Sequence, residues 1–307
     1  MGSVGRSYSV KTPAYNVLSG IGFALLAVAC FAAMDTTTKH ISLQLSLLMA
    51  LWVRYAFQAL ATTAVVLPGR GLKIFYTAHP RYQLLRGLLL FCTSLLAFFS
   101  LKYMPVGEFT AIVMITPLVI TLLAARQLKE KVSRTRWLLV CMGFVGTLVV
   151  IRPGGTAFDW GLILPLLLVG TNSAFQVLTS KMARTEDPIT MHLYTGWVGA
   201  LLATLILPWT WESPALWTEW AQVLLIGLLG TLGHFFLIMA YSRSPAATLT
   251  PYMYVQIGFA TVGGWLVFNH VPDHITLWGM VLVGISGAIG AWLTLKESRV
   301  PVTLPES

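Results

Sequence analysis

The sequence predicts an all-α membrane protein with ten transmembrane helices, arranged as two inverted five-helix repeats with both termini in the cytoplasm. Three observations predict this fold class: the composition, the lengths of the apolar runs and an internal repeat. Of the 307 residues, 56% are hydrophobic and 10% are charged, and the mean hydropathy is +0.76. A soluble protein of this length needs more polar surface than that, whereas lipid solvates such a chain.

Apolar runs of about 17 to 24 residues follow one another along the chain, and a helix of about 20 residues crosses the hydrocarbon core of a bilayer. These runs predict helices at 17–38, 44–67, 83–101, 107–125, 135–151, 160–181, 189–207, 221–241, 246–267 and 275–294. The connectors are short and carry the Pro, Gly and charged residues that are typical of turns. Two connectors, 66–82 and 208–220, are long enough to hold an extra surface turn.

An internal repeat relates residues 100–154 to residues 239–293. The matched pairs are Pro105 with Pro245, Trp137 with Trp278, Gly143 with Gly284 and Gly146 with Gly287. A unit of five helices has an odd number of spans, so the second copy enters the membrane from the opposite side. We therefore predict a cytoplasmic tail over 1–16, a first repeat over 17–154, a second repeat over 155–294 and a cytoplasmic tail over 295–307. Inverted repeats of this kind are typical of secondary transporters.

Glycines also predict which helices pack most closely. Gly143 with Gly146, and Gly284 with Gly287, recur at a three-residue spacing in the fifth and tenth predicted helices. Small residues at such spacings let helix backbones approach each other in lipid. We expect these two helices to be tightly packed.

The positive charges predict the orientation of the chain. Sixteen of the twenty Lys and Arg residues, Arg86 among them, lie in the even-numbered connectors and the tails, against Lys39, Lys102 and Arg152 in the odd-numbered connectors. The positive-inside rule then places both termini in the cytoplasm. Topology thus explains the net charge of +9, and no nucleic-acid partner is required.

The sequence argues against an enzyme. Cys30, Cys92 and Cys141 lie singly in apolar runs, which predicts buried thiols rather than a disulfide framework or a metal site. The chain carries no H-E-x-x-H, G-x-S-x-G or Walker-type glycine motif. We therefore predict no catalytic residues, no metal and no cofactor. A passive channel or receptor would not need an inverted repeat with broken helices.

Four segments carry a family resemblance: SLKYMPVGEFTAIVMITP and LKEKVSRTRWLLVCMGFVG in the first copy, and AYSRSPAATLTPYMYVQIGFATVGGWLVF and VPDHITLWGMVLVGISG in the second. They resemble the ten-helix transporters of the EamA family, in the drug/metabolite transporter superfamily, over roughly residues 17–294. The resemblance implies a secondary carrier of small metabolites, often an exporter of amino acids, that works without ATP hydrolysis.

The favoured interpretation is an exporter of amino acids, aromatic or other hydrophobic ones included, that works by alternating access. It would be a multi-pass protein of the bacterial inner membrane, a monomer or a homodimer, with a small-molecule substrate and the lipid bilayer as its partners. The alternative is a carrier of nucleoside-like metabolites, of drugs and organic cations, or of lipid-linked sugars. A membrane-embedded enzyme is the least favoured interpretation.

Ionisable side chains inside the spans are the first candidates for a substrate site, because lipid does not tolerate them unless they face protein or water. Arg54 could hold a carboxylate or phosphate, or could instead form a structural pair within the bundle. Asp35 could bind an amine or a proton, or could simply neutralise Lys39 one turn later. His234 could donate to a carboxylate or relay protons, or could have a packing role.

Amides, aromatics and prolines complete the candidate site. Tyr252 could stack on a ring or contact an ammonium, since aromatic faces attract cations. The other candidates for the pocket wall are Asn172, Gln176, Gln256 and Trp197. Pro117, Pro165 and Pro251 each remove one intrahelical hydrogen bond, and the carbonyls that they free serve substrate binding where they line a cavity.

Overall fold

The computed structural model describes residues 16–127, 133–151 and 163–298. Within these ranges the chain forms twelve α-helices and no β-strand. The helices are α1 (Val17–Ile41), α2 (Leu47–Arg70), α3 (Pro80–Tyr103), α4 (Val106–Val113), α5 (Thr116–Gln127), α6 (Arg134–Ile151), α7 (Ile163–Met182), α8 (Pro188–Ile206), α9 (Trp217–Tyr241), α10 (Ala246–Met253), α11 (Val255–Phe268) and α12 (His274–Ser298). Most of both predicted tails, and the predicted boundary between the repeats at 154 and 155, lie outside the described residues.

Six of these helices, α1 to α3 and α7 to α9, are each long and apolar enough to cross a membrane. Shorter apolar stretches occupy α6 and α12. Large apolar side chains also cover the outside of the bundle; Leu201 and Leu205 on α8, for example, are 63% and 69% exposed. Such a surface is solvated by lipid rather than by water. The protein is therefore a multi-pass membrane protein.

The two long connectors contain the extra turns that their length predicts. Short 3-10 helices form at Gly71–Phe75, between α2 and α3, and at Leu207–Trp209, between α8 and α9. Glu186, in the turn between α7 and α8, holds the first of these connectors: its carboxylate accepts from the Thr77 hydroxyl at 2.9 Å and from the Ala78 N–H at 3.0 Å. An ion pair between Arg70 and Asp187 lies beside it. These contacts join the first half of the chain to the second.

Two of the predicted spans are interrupted near their middle. The segment predicted as one helix over 107–125 divides into α4 and α5, and the segment predicted over 246–267 divides into α10 and α11. The first break has a direct cause: Pro117 has no N–H to donate to the carbonyl one turn earlier, and the Ile115 N–H bonds instead to the Ile112 carbonyl at 3.0 Å. The second break, at Tyr254, lies at the equivalent position of the second repeat.

Equivalent helices of the two repeats pack against each other in opposite directions. The helix α4 contacts α11, and α5 contacts α10, so the two interrupted segments run antiparallel. The same holds for α2 and α8: the Trp197 indole donates to Thr63 at 3.1 Å, whereas Thr204, further along α8, bonds to Trp52, further back along α2.

The close approach of α6 and α12 confirms the tight packing predicted from glycine spacing. A Cβ atom on Gly146 would lie 2.8 Å from the carbonyl oxygen of Gly279, and one on Gly143 would lie 3.1 Å from Ser286 Oγ. The partner numbers fall along α12 as the numbers rise along α6, so this pair is also antiparallel. Gly284 behaves differently, since a Cβ there would meet no atom within 4 Å.

Candidate functional site

A cavity of about 100 Å³ lies at the centre of the bundle, where the breaks in the two interrupted segments meet α1, α3, α7 and α9. Its apolar wall includes aromatic and thioether side chains: Phe31, Phe98, Phe109, Met34, Met114 and Met253. Its polar wall is formed by Asp35, Thr93, Ser94, Thr116, Asn172, Gln176, His234 and Gln256. A mostly apolar cavity with a few convergent polar groups is typical of a small-molecule site.

Asp35 is the acidic member of this wall. It is 5% exposed, and its carboxylate accepts a hydrogen bond from Gln256 Nε2 at 3.3 Å. Lys39, one turn later on α1, does not neutralise it, because the Lys39 ammonium donates to the Lys102 carbonyl at 3.3 Å. Asp35 thus presents a carboxyl group to the cavity beside an uncharged amide.

The amides of α7 form a second polar strip. The Tyr241 hydroxyl donates to Gln176 Oε1 at 2.6 Å, and Gln176 Nε2 donates to Asn172 Oδ1 at 3.1 Å. This chain fixes the orientation of both amides, so that their donors and acceptors are held in place before any ligand arrives. Preorganised polar groups of this kind provide specificity at low entropic cost.

His234 lies on α9 between two aromatic rings. Its ring centroid is 4.8 Å from that of Phe31 and 5.9 Å from that of Phe175. The side chain is buried and lines the cavity, and its Nδ1 atom has no hydrogen-bond partner. A buried ring nitrogen without a partner is available to a ligand.

Arg54 is fully buried, yet it lies behind the cavity wall rather than in it. Its Nη2 atom donates to the hydroxyl of Ser94, and its guanidinium lies 4.0 Å from the centroid of the Tyr55 ring. The Tyr55 hydroxyl is 2.9 Å from the same Ser94 oxygen. Gly230 leaves the space for this arginine, since a Cβ atom there would lie 3.1 Å from Nη1.

Comparison with known proteins decides the family. The EamA-like transporter family matches residues 18–152 and again residues 159–292, which is most of the chain in two repeats. The chain belongs to the EamA-like transporter family. This confirms the resemblance drawn from the sequence motifs.

Three relatives show the range of transporters that are similar to this EamA-like chain. An S-adenosylmethionine uptake transporter of Rickettsia conorii is 27% identical, with 87% of this chain and 90% of the relative aligned. A riboflavin transporter of Vibrio cholerae is 26% identical over 93% and 97% of the two chains. A pseudopaline exporter of Pseudomonas aeruginosa is 26% identical over 87% and 94%.

A solved crystal structure shares the fold. It superposes with a TM-score of 0.69 over 92% of this chain and 98% of the other, at 18% sequence identity. At this identity the likeness concerns the fold alone.

The structure brings six of the predicted site residues together around the cavity of this EamA-like protein: Asp35, Pro117, Asn172, Gln176, His234 and Gln256. It places others elsewhere. Trp197 bonds to Thr63 between α8 and α2, and Tyr252 is buried in the core beside the cavity residue Met253. Pro165 is the third residue of α7, and Pro251 lies within α10.

Sequence reasoning missed Ser94 and Thr116, and it placed Arg86 wrongly. Ser and Thr are common in apolar helices, where they bond to the carbonyl four residues earlier, so they give no sequence signal. Thr116 lines the cavity with its hydroxyl unpartnered. The sequence predicts Arg86 to be a connector charge, but it is fully buried in α3, where it donates to the Met191 carbonyl.

A second, wider cavity of about 440 Å³ lies one helical turn from the first along three of the same helices. It is lined by Lys39 of α1, Val106 of α4 and Ala260 of α11, whereas Asp35, Phe109 and Gln256 line the central cavity. The wider cavity also contacts the connector between α11 and α12.

Proposed function

We propose that this protein is a secondary carrier with ten spans, in which α4 with α5, and α10 with α11, each form one interrupted span. The antiparallel packing of α2 on α8, of α6 on α12 and of the two interrupted segments supports an inverted pair of five-helix repeats. The distribution of Lys and Arg supports cytoplasmic termini, and the bacterial origin of the relatives supports the inner membrane.

The cavities support alternating access as the mechanism. A cavity of about 150 Å³ holds a benzene molecule, so a central cavity of about 100 Å³ is too narrow for a nucleoside or an aromatic amino acid. The central site must widen before such a molecule binds. The interruptions in α4–α5 and α10–α11 lie at the cavity. The cavity wall can therefore bend at these two positions.

The substrate that this site fits is a small metabolite with a cationic centre, an amino-acid group and a ring. The single observation that carries this proposal is the carboxyl group of Asp35, held in the cavity by an amide and surrounded by aromatic and methionine side chains. Carboxylates and aromatic faces attract cations, and amides form hydrogen bonds with the polar atoms at the edge of a ring. The name of the Rickettsia relative supports the same class, since S-adenosylmethionine combines an amino acid, a sulfonium and a nucleoside.

This class shares chemical groups with two of the substrate types expected from the sequence: the charged group of amino acids and the ring of nucleoside-like metabolites. Export of amino acids stays a prediction, because the relatives are named for uptake as well as for export. Riboflavin transporters among the relatives suggest an uncharged aromatic substrate as the second candidate. The amide chain of Asn172 and Gln176 favours it, because a flavin ring offers neutral donors and acceptors at its edge.

Exchange into proteoliposomes tests the proposal. Vesicles with the purified chain and empty vesicles are compared for uptake of labelled S-adenosylmethionine, phenylalanine, riboflavin and an organic cation. Saturable exchange of S-adenosylmethionine or phenylalanine, suppressed by unlabelled analogues, is expected. Exchange of riboflavin alone would favour the second candidate, and linear flux of every compound would exclude a carrier.

A further inference from the structure

One hydroxyl group, that of Ser94, separates a buried guanidinium from the central cavity. Ser94 lines the cavity, whereas Arg54, which donates to it, does not. Tyr55, the residue after Arg54 on α2, also contacts Ser94, since its hydroxyl lies 2.9 Å from the same Ser94 oxygen. Arg54 can therefore act on a molecule in the cavity by polarising the Ser94 hydroxyl to which it donates.

That charge has no acidic partner in contact. No ion pair involves Arg54 in the described part of the chain, and its Nε and Nη1 atoms have no hydrogen-bond partner. Asp35 interacts with it electrostatically but does not bond to it. A buried charge without a partner costs free energy, and an anion nearby would recover part of that cost.

The donor and acceptor groups of the Ser94 hydroxyl determine which hydrogen bonds it can form with a ligand. A serine hydroxyl has one O–H to donate and two lone pairs to accept with. Arg54 uses one lone pair, and the Tyr55 hydroxyl can donate to the other. The Ser94 O–H is then left to donate into the cavity. An anion in the cavity selects this arrangement, because each donor in the chain strengthens the next.

We propose that Ser94, polarised by Arg54 and Tyr55, is the subsite for the carboxylate of the transported molecule. This inference rests on the proposed function, in which the central cavity is the transport site. Asp35 binds the cationic centre and Ser94 binds the carboxylate, so a zwitterion occupies the cavity without adding net charge to it. Ser94 contacts the substrate, and Arg54 is a positioning residue that acts through Ser94.

Pairs of compounds that differ only by a carboxylate test this assignment. The pairs are S-adenosylmethionine with its decarboxylated form, and phenylalanine with phenethylamine. In proteoliposomes with the wild-type protein, kcat/KM is expected to favour the carboxylate-bearing member. Ser94→Ala is expected to lower kcat/KM for that member by about 10- to 100-fold, the usual effect of losing a hydrogen bond to a charge. It should leave the member without a carboxylate unchanged.

Arg54 provides the second arm of the test. Arg54→Gln should reduce the same preference, and Arg54→Lys should restore part of it because the charge is kept. Ser94→Thr retains the hydroxyl and should restore most of it. A structural role for these residues would change the folded yield without changing the preference between the paired compounds.

Thr93 is the matched control. It lies on the same wall, but its hydroxyl bonds to the Leu89 carbonyl at 2.8 Å and to Thr171 at 2.9 Å. Thr93→Val should change kcat/KM for both members of a pair by the same factor. Each variant is first checked by size-exclusion chromatography in detergent.

The outcomes separate the two proposals. If Ser94→Ala changes both members equally, or neither, the carboxylate subsite is wrong and the carrier function stands. If the wild-type protein takes up both members equally well, the subsite is wrong without any variant being made. If no pair shows saturable exchange, the proposed substrate class is wrong and the subsite with it.

Discussion

Asp35 is the acidic side chain of the central cavity, and in the proposed function it binds the cationic centre of the substrate. We predict that Asp35→Asn removes the attraction for a cation while it keeps the size of the side chain and its contact with Gln256. The value of kcat/KM for a cationic substrate should fall by about 10- to 100-fold, the range for a lost interaction with a charge. Initial rates of exchange in proteoliposomes measure this.

Glu212 offers a control for the loss of one negative charge. It is exposed and lies away from the central cavity. Glu212→Gln should leave the exchange rate as it is in the wild-type protein. If Asp35→Asn exchanged a cationic substrate at the wild-type rate, Asp35 would be excluded as the cation site.

Single site residues could be predicted from the sequence where a residue type is rare within a membrane-spanning helix. Asp35 and His234 stood out because an ionisable group in an apolar run needs a partner or a cavity. Ser94 could not stand out, since its importance comes from Arg54, which reaches it from another helix. The prediction for Arg86 was wrong for the opposite reason. In the sequence, a charged residue near a helix end cannot be told from a connector charge, and only the fold shows that Arg86 is buried.

The pairing of α6 with α12 is the helix contact that the glycine spacing predicted. We predict that Gly146→Ala destabilises the protein by about 1 to 3 kcal/mol, because the new Cβ atom would lie 2.8 Å from a backbone carbonyl and force the helices apart. Gly284→Ala, on the partner helix, should be nearly neutral because the space there is open. Thermal unfolding in detergent compares the two variants, and equal effects would contradict the described packing.

At the level of elements, the sequence predicted where apolar helices lie better than it predicted where they break. Hydropathy is continuous through 107–125 and 246–267, so length alone indicates one span in each. The break at Met114 and Ile115 depends on Pro117 and on the helices around it, and a proline can instead be accommodated at the start of an unbroken helix. The 3-10 turns were easier, because the length of their connectors required some structure.

The whole molecule follows from the repeat more than from any local signal. The match of Pro105 to Pro245 predicted two copies of one unit, and the family comparison shows two repeats. The contacts between copies could not be predicted, because the pattern of each helix states which face is apolar but not which helix covers it. The hydrogen bonds that Glu186 accepts from Thr77 and Ala78 are such contacts, since they join residues more than 100 positions apart.

The inverted arrangement predicts opposite sides of the membrane for two exposed connectors. His79, after the 3-10 turn that precedes α3, should face the cytoplasm, and His270, between α11 and α12, should face the outside. The test introduces His79→Cys or His270→Cys into a chain in which Cys30, Cys92 and Cys141 are replaced by serine. In intact cells, a membrane-impermeant maleimide should label the variant at 270 and should label the variant at 79 only after the membrane is opened. Labelling of both positions from the same side would contradict the inverted topology, while the reverse pattern would keep the inversion and overturn the orientation inferred from the Lys and Arg residues.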